Sequence, residues 1–193
     1  MNIKTLLSRI QKTSHTFDVT GLSLNTQSLQ KGDIFVAIQG TQKHGSEFIQ
    51  NAIDKGCIAV LVEDRNIQCS VPSIRINHLS SYLSDLAQTF YKEAQNIKLI
   101  GVTGTNGKTS VSLFISQLLE TLNVKTGVIG TLGISHSDKK TSNTTPDIFT
   151  IYKSLQDYSK KGIEVAVIEA SSHALIQNRL SGLVFEQAIF TNL

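Results

Sequence analysis

The run Gly104-Thr105-Asn106-Gly107-Lys108-Thr109-Ser110 has the residue types of a phosphate-binding loop. In such a loop, successive backbone N–H groups and the positive end of the following helix replace the water around a polyphosphate. Glycine is required where a Cβ would block that approach. Lys108 is placed to reach the β- and γ-phosphates, and the Thr109 hydroxyl to contact a magnesium ion. The more frequent spacing has a glycine five residues before Gly107, where this chain has Val102; its glycines are Gly101, Gly104 and Gly107. Context supports nucleotide binding, because an apolar run over 98–103 leads in and an amphipathic pattern leads out. The residues themselves leave ATP and GTP both open, with ATP slightly favoured.

A second group follows 60 residues on. Glu169 ends the apolar run Val165-Ala-Val-Ile168, and a carboxylate at the carboxyl end of a parallel strand sits where such sheets bind ligands and can serve a nucleotide-bound magnesium ion. Ser171, Ser172 and His173 come directly after it at the same edge. A serine nucleophile with His173 as base would need a Gly-x-Ser-x-Gly elbow, which is absent. The third group is Asn143-Thr144-Thr145-Pro146-Asp147. Thr145 reads as a helix N-cap with Pro146 in the first helical position, which leaves Asn143 and Thr144 free to bind a ligand. His15, His44, His78 and His136 lack metal-ligand spacing and read as surface residues.

The elements that must position these groups alternate. In the first half, runs over 33–38, 58–62 and 73–76 read as strands. Phe48, Ala52 and Ile53 recur at helical spacing before Gly56, and Leu79, Leu83, Leu86 and Phe90 share one helical face. The polar stretch over 92–96 then marks a boundary between domains 1–95 and 96–193. In the second half, a strand over 98–103 and a helix with an apolar face of Val111, Phe114, Ile115, Leu118 and Leu122 precede a strand over 125–130. A helix over 146–161, a strand over 164–169 and a strand over 184–190 follow. Strand-helix alternation of this kind implies α/β architecture, with a parallel sheet and helices on both faces.

The 193 residues are 40% apolar and 17% charged, with a net charge of +3 and no basic run, so no nucleic-acid partner is expected. Cys57 and Cys69 are too few for a disulfide framework, and Cys57 reads as a small core residue. With no signal segment and no apolar run of membrane-spanning length, a cytoplasmic location is expected.

Taken together, Gly101-Val-Thr-Gly-Thr-Asn-Gly-Lys-Thr109, Asn143-Thr-Thr-Pro146, and Glu169-Ala-Ser-Ser-His-Ala-Leu175 with Arg179 resemble the Mur ligases of peptidoglycan synthesis, in particular the MurE type. Gly32-Asp-Ile-Phe-Val-Ala37 with Gly40 looks like that type's substrate-nucleotide domain. The resemblance implies a small N-terminal α/β domain that holds the UDP part of the substrate, followed by the first part of a phosphate-loop ATP domain. It further implies an ATP- and Mg2+-dependent amide ligase that adds diaminopimelate or lysine to UDP-N-acetylmuramoyl-L-alanyl-D-glutamate through an acyl phosphate. Lys108, Glu169 and His173 become its catalytic candidates, and the loop from Gly104 to Ser110 its nucleotide contacts. Thr109 and Glu169 become magnesium contacts. Asn143, Thr144, Thr145, Ser171, Gln177 and Arg179 become contacts to the muramoyl-peptide, the arginine because a guanidinium pairs bidentately with carboxylate or phosphate. Leu24, Thr26, Thr41, Gln42 and Lys43 fall where the family holds UDP.

The family usually has Asp-Ser-Arg where this chain has Asn25-Thr26-Gln27, so an arginine contact to UDP is absent or replaced. Family members also continue past residue 193 into an Asp-His-Leu-Asp run and a further domain. The chain alone is therefore expected to bind nucleotide without ligating, and to aggregate through an uncovered sheet edge. Related readings are the D-alanyl-D-alanine-adding Mur ligase and folylpolyglutamate synthetase. A reading from a different class is a non-catalytic nucleotide-binding module.

Overall fold

The computed structural model describes residues 1–137 and 143–192. The chain forms two compact units, Met1–Phe90 and Tyr91–Leu193. The polar stretch at which the sequence divides is a 3-10 turn, Lys92–Asn96, that packs with the second unit against its long helix over 148–160.

In the first unit, α1 (Ile3–Leu6) precedes β1 (Gly21–Ser23) and β2 (Asp33–Ala37). Then come α2 (Ile49–Asp54), β3 (Ala59–Glu63), β4 (Ser73–Ile76) and α3 (Leu83–Phe90). The four strands form a parallel sheet in the order β1-β2-β3-β4, with Leu22 opposite Ile34, Phe35 opposite Val60 and Leu61 opposite Ile74. Every residue of β2 and β3 is buried. That explains their continuous apolar runs, since a parallel strand covered on both faces has no polar side to alternate with. One cluster joins Leu29, Phe35, Ala37, Ile49, Ala52, Cys57, Val60 and Val62. Cys57 is a core residue as expected, and burial pushes its thiol up to about 11. The expectation that all four spare histidines lie on the surface fails at His44, which is buried, and at His15, which is half-buried. His44 is held because its Nδ1 accepts the Ser46 N–H at 3.0 Å and thereby caps the 3-10 turn Gly45–Phe48.

In the second unit, β5 (Lys98–Thr103), α4 (Lys108–Thr121), β6 (Thr126–Gly130) and the short β7 (Gly133–Ile134) are followed by α5 (Ile148–Lys160), β8 (Val165–Glu169), α6 (Ser172–Ile176) and β9 (Gln187–Phe190). The sheet order is β7-β6-β8-β5-β9, with only β7 antiparallel. Adjacent residues of β6 show that α4 and α5 cover opposite faces. The Thr126 hydroxyl lies 2.6 Å from that of Ser116 in α4, whereas Gly127 lies under the Tyr158 ring of α5. A Cβ at Gly127 would stand 2.5 Å from Tyr158 Cζ, so only glycine admits the ring. The Tyr158 hydroxyl donates to the Val128 carbonyl at 3.0 Å, and burial pushes its ionisation up to about 12.

Two local expectations are corrected. Phe114, Leu118 and Leu122 of α4 point outward and are 61–71% exposed, while Ser112 and Ser116 face the sheet. Small side chains and the Ser116–Thr126 bond bring α4 close to β6, so the most apolar stripe is not the buried one. The N-cap of α5 is Asp147, not Thr145; its carboxylate accepts the N–H groups of Phe149 and Thr150 at 3.0 and 3.1 Å. The Thr145 hydroxyl is committed to the Glu169 carbonyl and the Ser171 N–H, and the Asp147 carboxylate two residues on takes the cap.

Candidate functional site

At one edge of the second sheet, β6, β8, β5 and β9 end side by side, each followed or terminated by polar groups. Thr131 follows β6 and Glu169 ends β8. The phosphate loop follows β5, and Thr191 and Asn192 follow β9. Open parallel sheets bind ligands at this carboxyl edge.

The loop turns on Gly104 (φ +133°) and Gly107 (φ +83°), a backbone that L side chains rarely adopt. Gly107 is the N-cap of α4, so Lys108, Thr109 and Ser110 form its first turn. The N–H groups of that turn have no intrahelical partner and are available to an anion. Thr105, Asn106, Gly107 and Ser110 are exposed, while Lys108 and Thr109 are half-buried. The Lys108 ammonium is folded onto its own loop, donating to the carbonyls of Gly104 at 2.7 Å and Thr105 at 3.1 Å.

Glu169 is 1% exposed. Its Oε2 accepts the hydroxyls of Thr109 and Thr131, both at 3.0 Å, and its Oε1 accepts the Thr131 N–H at 3.0 Å. The Thr131 hydroxyl lies 3.1 Å from that of Thr144, so a hydroxyl chain links the Asn143–Pro146 segment to the acid. Thr145, fully buried, donates to the Glu169 carbonyl at 2.6 Å and accepts the Ser171 N–H at 3.0 Å. Arg179 extends the cluster. Its Nη1 donates to the Thr145 carbonyl at 2.6 Å, and its Nε and Nη2 donate to Gln177 Oε1 at 3.0 and 2.6 Å. Ser171 caps α6 by accepting the Ala174 N–H. Asn143 is exposed, and so is His173 on the first turn of α6, whose ring is hydrogen-bonded to no other described residue. Thus Thr109, Glu169, Thr144, Thr145, Ser171, Gln177 and Arg179 form one connected network, and His173 stands outside it.

Among the described residues no group of three or more His, Cys, Asp or Glu side chains could cage a metal. A single buried carboxylate beside a threonine hydroxyl suits magnesium held mainly by phosphate oxygens and water rather than an all-protein site.

In the first unit, Leu24 and Thr26 follow the carboxyl end of β1, and Thr41, Gln42 and Lys43 follow that of the adjacent β2. Leu24 and Thr26 are half-buried and the other three are exposed. The turn over 40–43 closes with the Gly40 N–H on the Lys43 carbonyl at 3.0 Å. Glu63, at the end of β3, accepts the N–H groups of Gln39 at 3.2 Å and Ser80 at 2.8 Å. Burial raises this carboxyl, but the bonds from Ser80 and Gln39 outweigh it and hold it below its ordinary value. Burial, and then the Arg65 cation, hold the His44 imidazole below its ordinary value.

Thr131, Thr191, Asn192, Glu63 and His44 had not stood out in the sequence. The only signal for the first three is position, one or two residues beyond the carboxyl end of a strand.

Loop, acid and parallel sheet place the second unit in the phosphate-loop class of α/β proteins. The particular family follows from comparison: residues 18–91 match the Mur ligase family catalytic domain and residues 102–193 the Mur ligase middle domain, and the chain belongs to the Mur ligase family. It is 38% identical, over 91% of its length and 37% of the relative's, to the UDP-N-acetylmuramoyl-L-alanyl-D-glutamate--2,6-diaminopimelate ligase of Coxiella burnetii. With the enzyme of that name from Buchnera aphidicola the identity is 39%, over the whole chain and 41% of the relative. A solved structure of a ligase of the same name superposes with a TM-score of 0.78 at 27% identity, covering the whole chain and 41% of the other. MurF ligase from Thermotoga maritima in complex with ADP superposes at 0.52, with 25% identity over 80% of this chain and 32% of the other. The chain spans about two fifths of the length of the curated relatives it matches.

Proposed function

We propose that this chain carries the nucleotide site and the UDP-substrate site of an ATP-dependent amide ligase that joins 2,6-diaminopimelate to UDP-N-acetylmuramoyl-L-alanyl-D-glutamate. The observation that carries the reading is the buried Glu169 carboxylate bonded to Thr109, the first-turn threonine of the phosphate-loop helix. The names of the curated relatives support the substrate pair.

On this reading the γ-phosphoryl group of ATP passes to the side-chain carboxylate of the D-glutamyl residue, giving an acyl phosphate and ADP. The amine of diaminopimelate then attacks the acyl carbon to form the C–N bond of a tetrahedral intermediate, which collapses to the amide as the C–O bond to phosphate breaks and the amine nitrogen gives up a proton, leaving inorganic phosphate. The N–H groups of the first turn of α4 hold the phosphates, and Lys108 swings from the carbonyls of Gly104 and Thr105 to neutralise charge on the transferred group. Thr109 and Glu169 hold magnesium, which when bound neutralises phosphate charge. Asn143, Thr144, Thr145, Ser171, Gln177 and Arg179 orient the muramoyl-peptide, with the Arg179 guanidinium facing one of its carboxylates. Leu24, Thr26, Thr41, Gln42 and Lys43 hold the UDP part. His173 is the remaining catalytic candidate, exposed beside the same edge. No described helix is long and apolar enough to cross a membrane.

Calorimetric titration of the chain with UDP-N-acetylmuramoyl-L-alanyl-D-glutamate, and separately with Mg-ATP, tests this beside Lys108→Ala. The UDP compound is expected to bind wild type and variant alike, with ATP binding lost in the variant. Binding of ATP without the UDP compound would remove the first-unit assignment, and binding of neither would end the ligase reading.

A further inference from the structure

The four-residue turn between β5 and α4 has no ladder of its own, yet six of its main-chain hydrogen bonds are made by two neighbouring side chains and one lysine. Asn192 Oδ1 accepts the N–H groups of Thr105 and Asn106, both at 3.1 Å. Asn192 Nδ2 donates to the Asn106 carbonyl at 3.0 Å, and Thr191 Oγ1 donates to the same carbonyl at 2.6 Å. The Thr191 main chain is itself fixed, its N–H donating to the Thr103 carbonyl at 2.9 Å as β9 leaves the sheet beside β5. Gly104 lies so close to this pair that a Cβ there would collide with the Thr191 hydroxyl and stand 3.0 Å from the Asn192 carbonyl.

We infer that Asn192, seconded by Thr191, is a positioning residue that holds the phosphate loop in its anion-binding shape. The inference rests on the nucleotide reading above. The chemistry selects asparagine: one amide group both accepts two N–H groups and donates to a carbonyl, as a neighbouring strand would. Aspartate can still accept the N–H groups, but it cannot donate to Asn106 and it sets a negative charge beside the phosphate site. The contacts of Asn192 use the N–H groups of Thr105 and Asn106 and leave those of the first turn of α4 for the ligand. Lys108 differs in kind. Its bonds to the Gly104 and Thr105 carbonyls must break when it turns to phosphate, after which the Asn192 and Thr191 bonds are the ones still fixing the loop.

Asn192→Ala, Asn192→Asp and Thr191→Val separate the possibilities, read by amide exchange at Thr105 and Asn106 in NMR, by melting temperature and by Mg-ATP titration. In Asn192→Ala both amides are expected to exchange about tenfold faster, with a Kd for Mg-ATP raised about tenfold and a melting temperature lowered by no more than a few degrees, because water takes up the exposed loop groups. Asn192→Asp is expected to keep both amides protected while weakening ATP at least as much. Thr191→Val, which retains the shape, tests the hydroxyl should Asn192→Ala lower the melting temperature, and is expected to speed exchange at Asn106. If the two amides exchange as in wild type in Asn192→Ala, or if they exchange freely while ATP binds as in wild type, the inference is overturned. Failure of the wild-type chain to bind ATP would instead remove the nucleotide reading, and faster exchange in Asn192→Ala would still support the brace.

Discussion

Replacing Glu169 separates its role in the fold from its role toward a metal-bound nucleotide. Glu169→Gln preserves the shape. The amide oxygen can take the place of Oε1 and accept the Thr131 N–H, while the two amide hydrogens meet the hydroxyls of Thr109 and Thr131, which rotate to accept them. Charge-assisted bonds become neutral ones, but a buried charge is also removed, so the net loss is about 1 kcal/mol or less. In a unit of this size that lowers the melting temperature by roughly 4–8 °C at most. Glu169→Ala removes a side chain that is 1% exposed and deprives three donors of their acceptor. The cavity and the orphaned Thr131 N–H together cost about 3–5 kcal/mol, which lowers melting by roughly 15 °C or more. Magnesium-dependent ATP affinity should fall roughly tenfold or more in Glu169→Gln, since the ion loses the carboxylate proposed to hold it. Calorimetric melting and titration with Mg-ATP, and with ATP in EDTA, give both quantities from one preparation. A glutamine variant that melts as low as the alanine variant would refute the proposed hydrogen-bond exchange. One that binds Mg-ATP as wild type does would remove Glu169 from the metal site.

Gly127→Ala sets a methyl group against the buried Tyr158 ring, 2.5 Å from Cζ. It should destabilise the second unit by about 1–3 kcal/mol in denaturant melts, and Tyr158→Leu in the same chain should recover part of the loss. His44 yields a pH dependence. Its folded pKa lies below the ordinary 6.5, so the unfolded state binds more protons and the stability from the neutral ring is complete above about 6.5 and lost as pH falls below it. Melting of the first unit should therefore drop between pH 7.5 and 5.5 in wild type and less so in His44→Gln, where equal slopes would exclude this histidine as the cause.

Much of the fold was readable because its signal is local. In β3 and β8, five successive buried residues leave a continuous apolar run that few other elements produce. β1 was not readable: Gly21-Leu22-Ser23 is too short to carry a pattern, and it becomes a strand because β2 presents a free parallel edge. The start of α5 was misplaced for a related reason. Thr145 and Asp147 are both acceptable caps by type, and the tertiary bonds of Thr145 to Glu169 and Ser171, about 25 residues away, decide between them.

The site divides in the same way. The loop glycines, Lys108 and Thr109 act within one turn of each other and so form a recognisable string. Glu169 was readable because a strand end fixes where a carboxylate must sit. Thr131 and Asn192 lack both advantages, since each is an ordinary polar residue after a strand and acquires its role only from the sheet order. Because β8 lies between β6 and β5, Thr131 can reach Glu169 and Glu169 can reach Thr109. Because β9 lies on the far side of β5, Asn192 meets the loop 86 residues before it. Had β9 added beside β6 instead, the same residues would leave Thr105 and Asn106 without these bonds. The strand order, which no local pattern encodes, therefore turns a phosphate-loop string into a braced site.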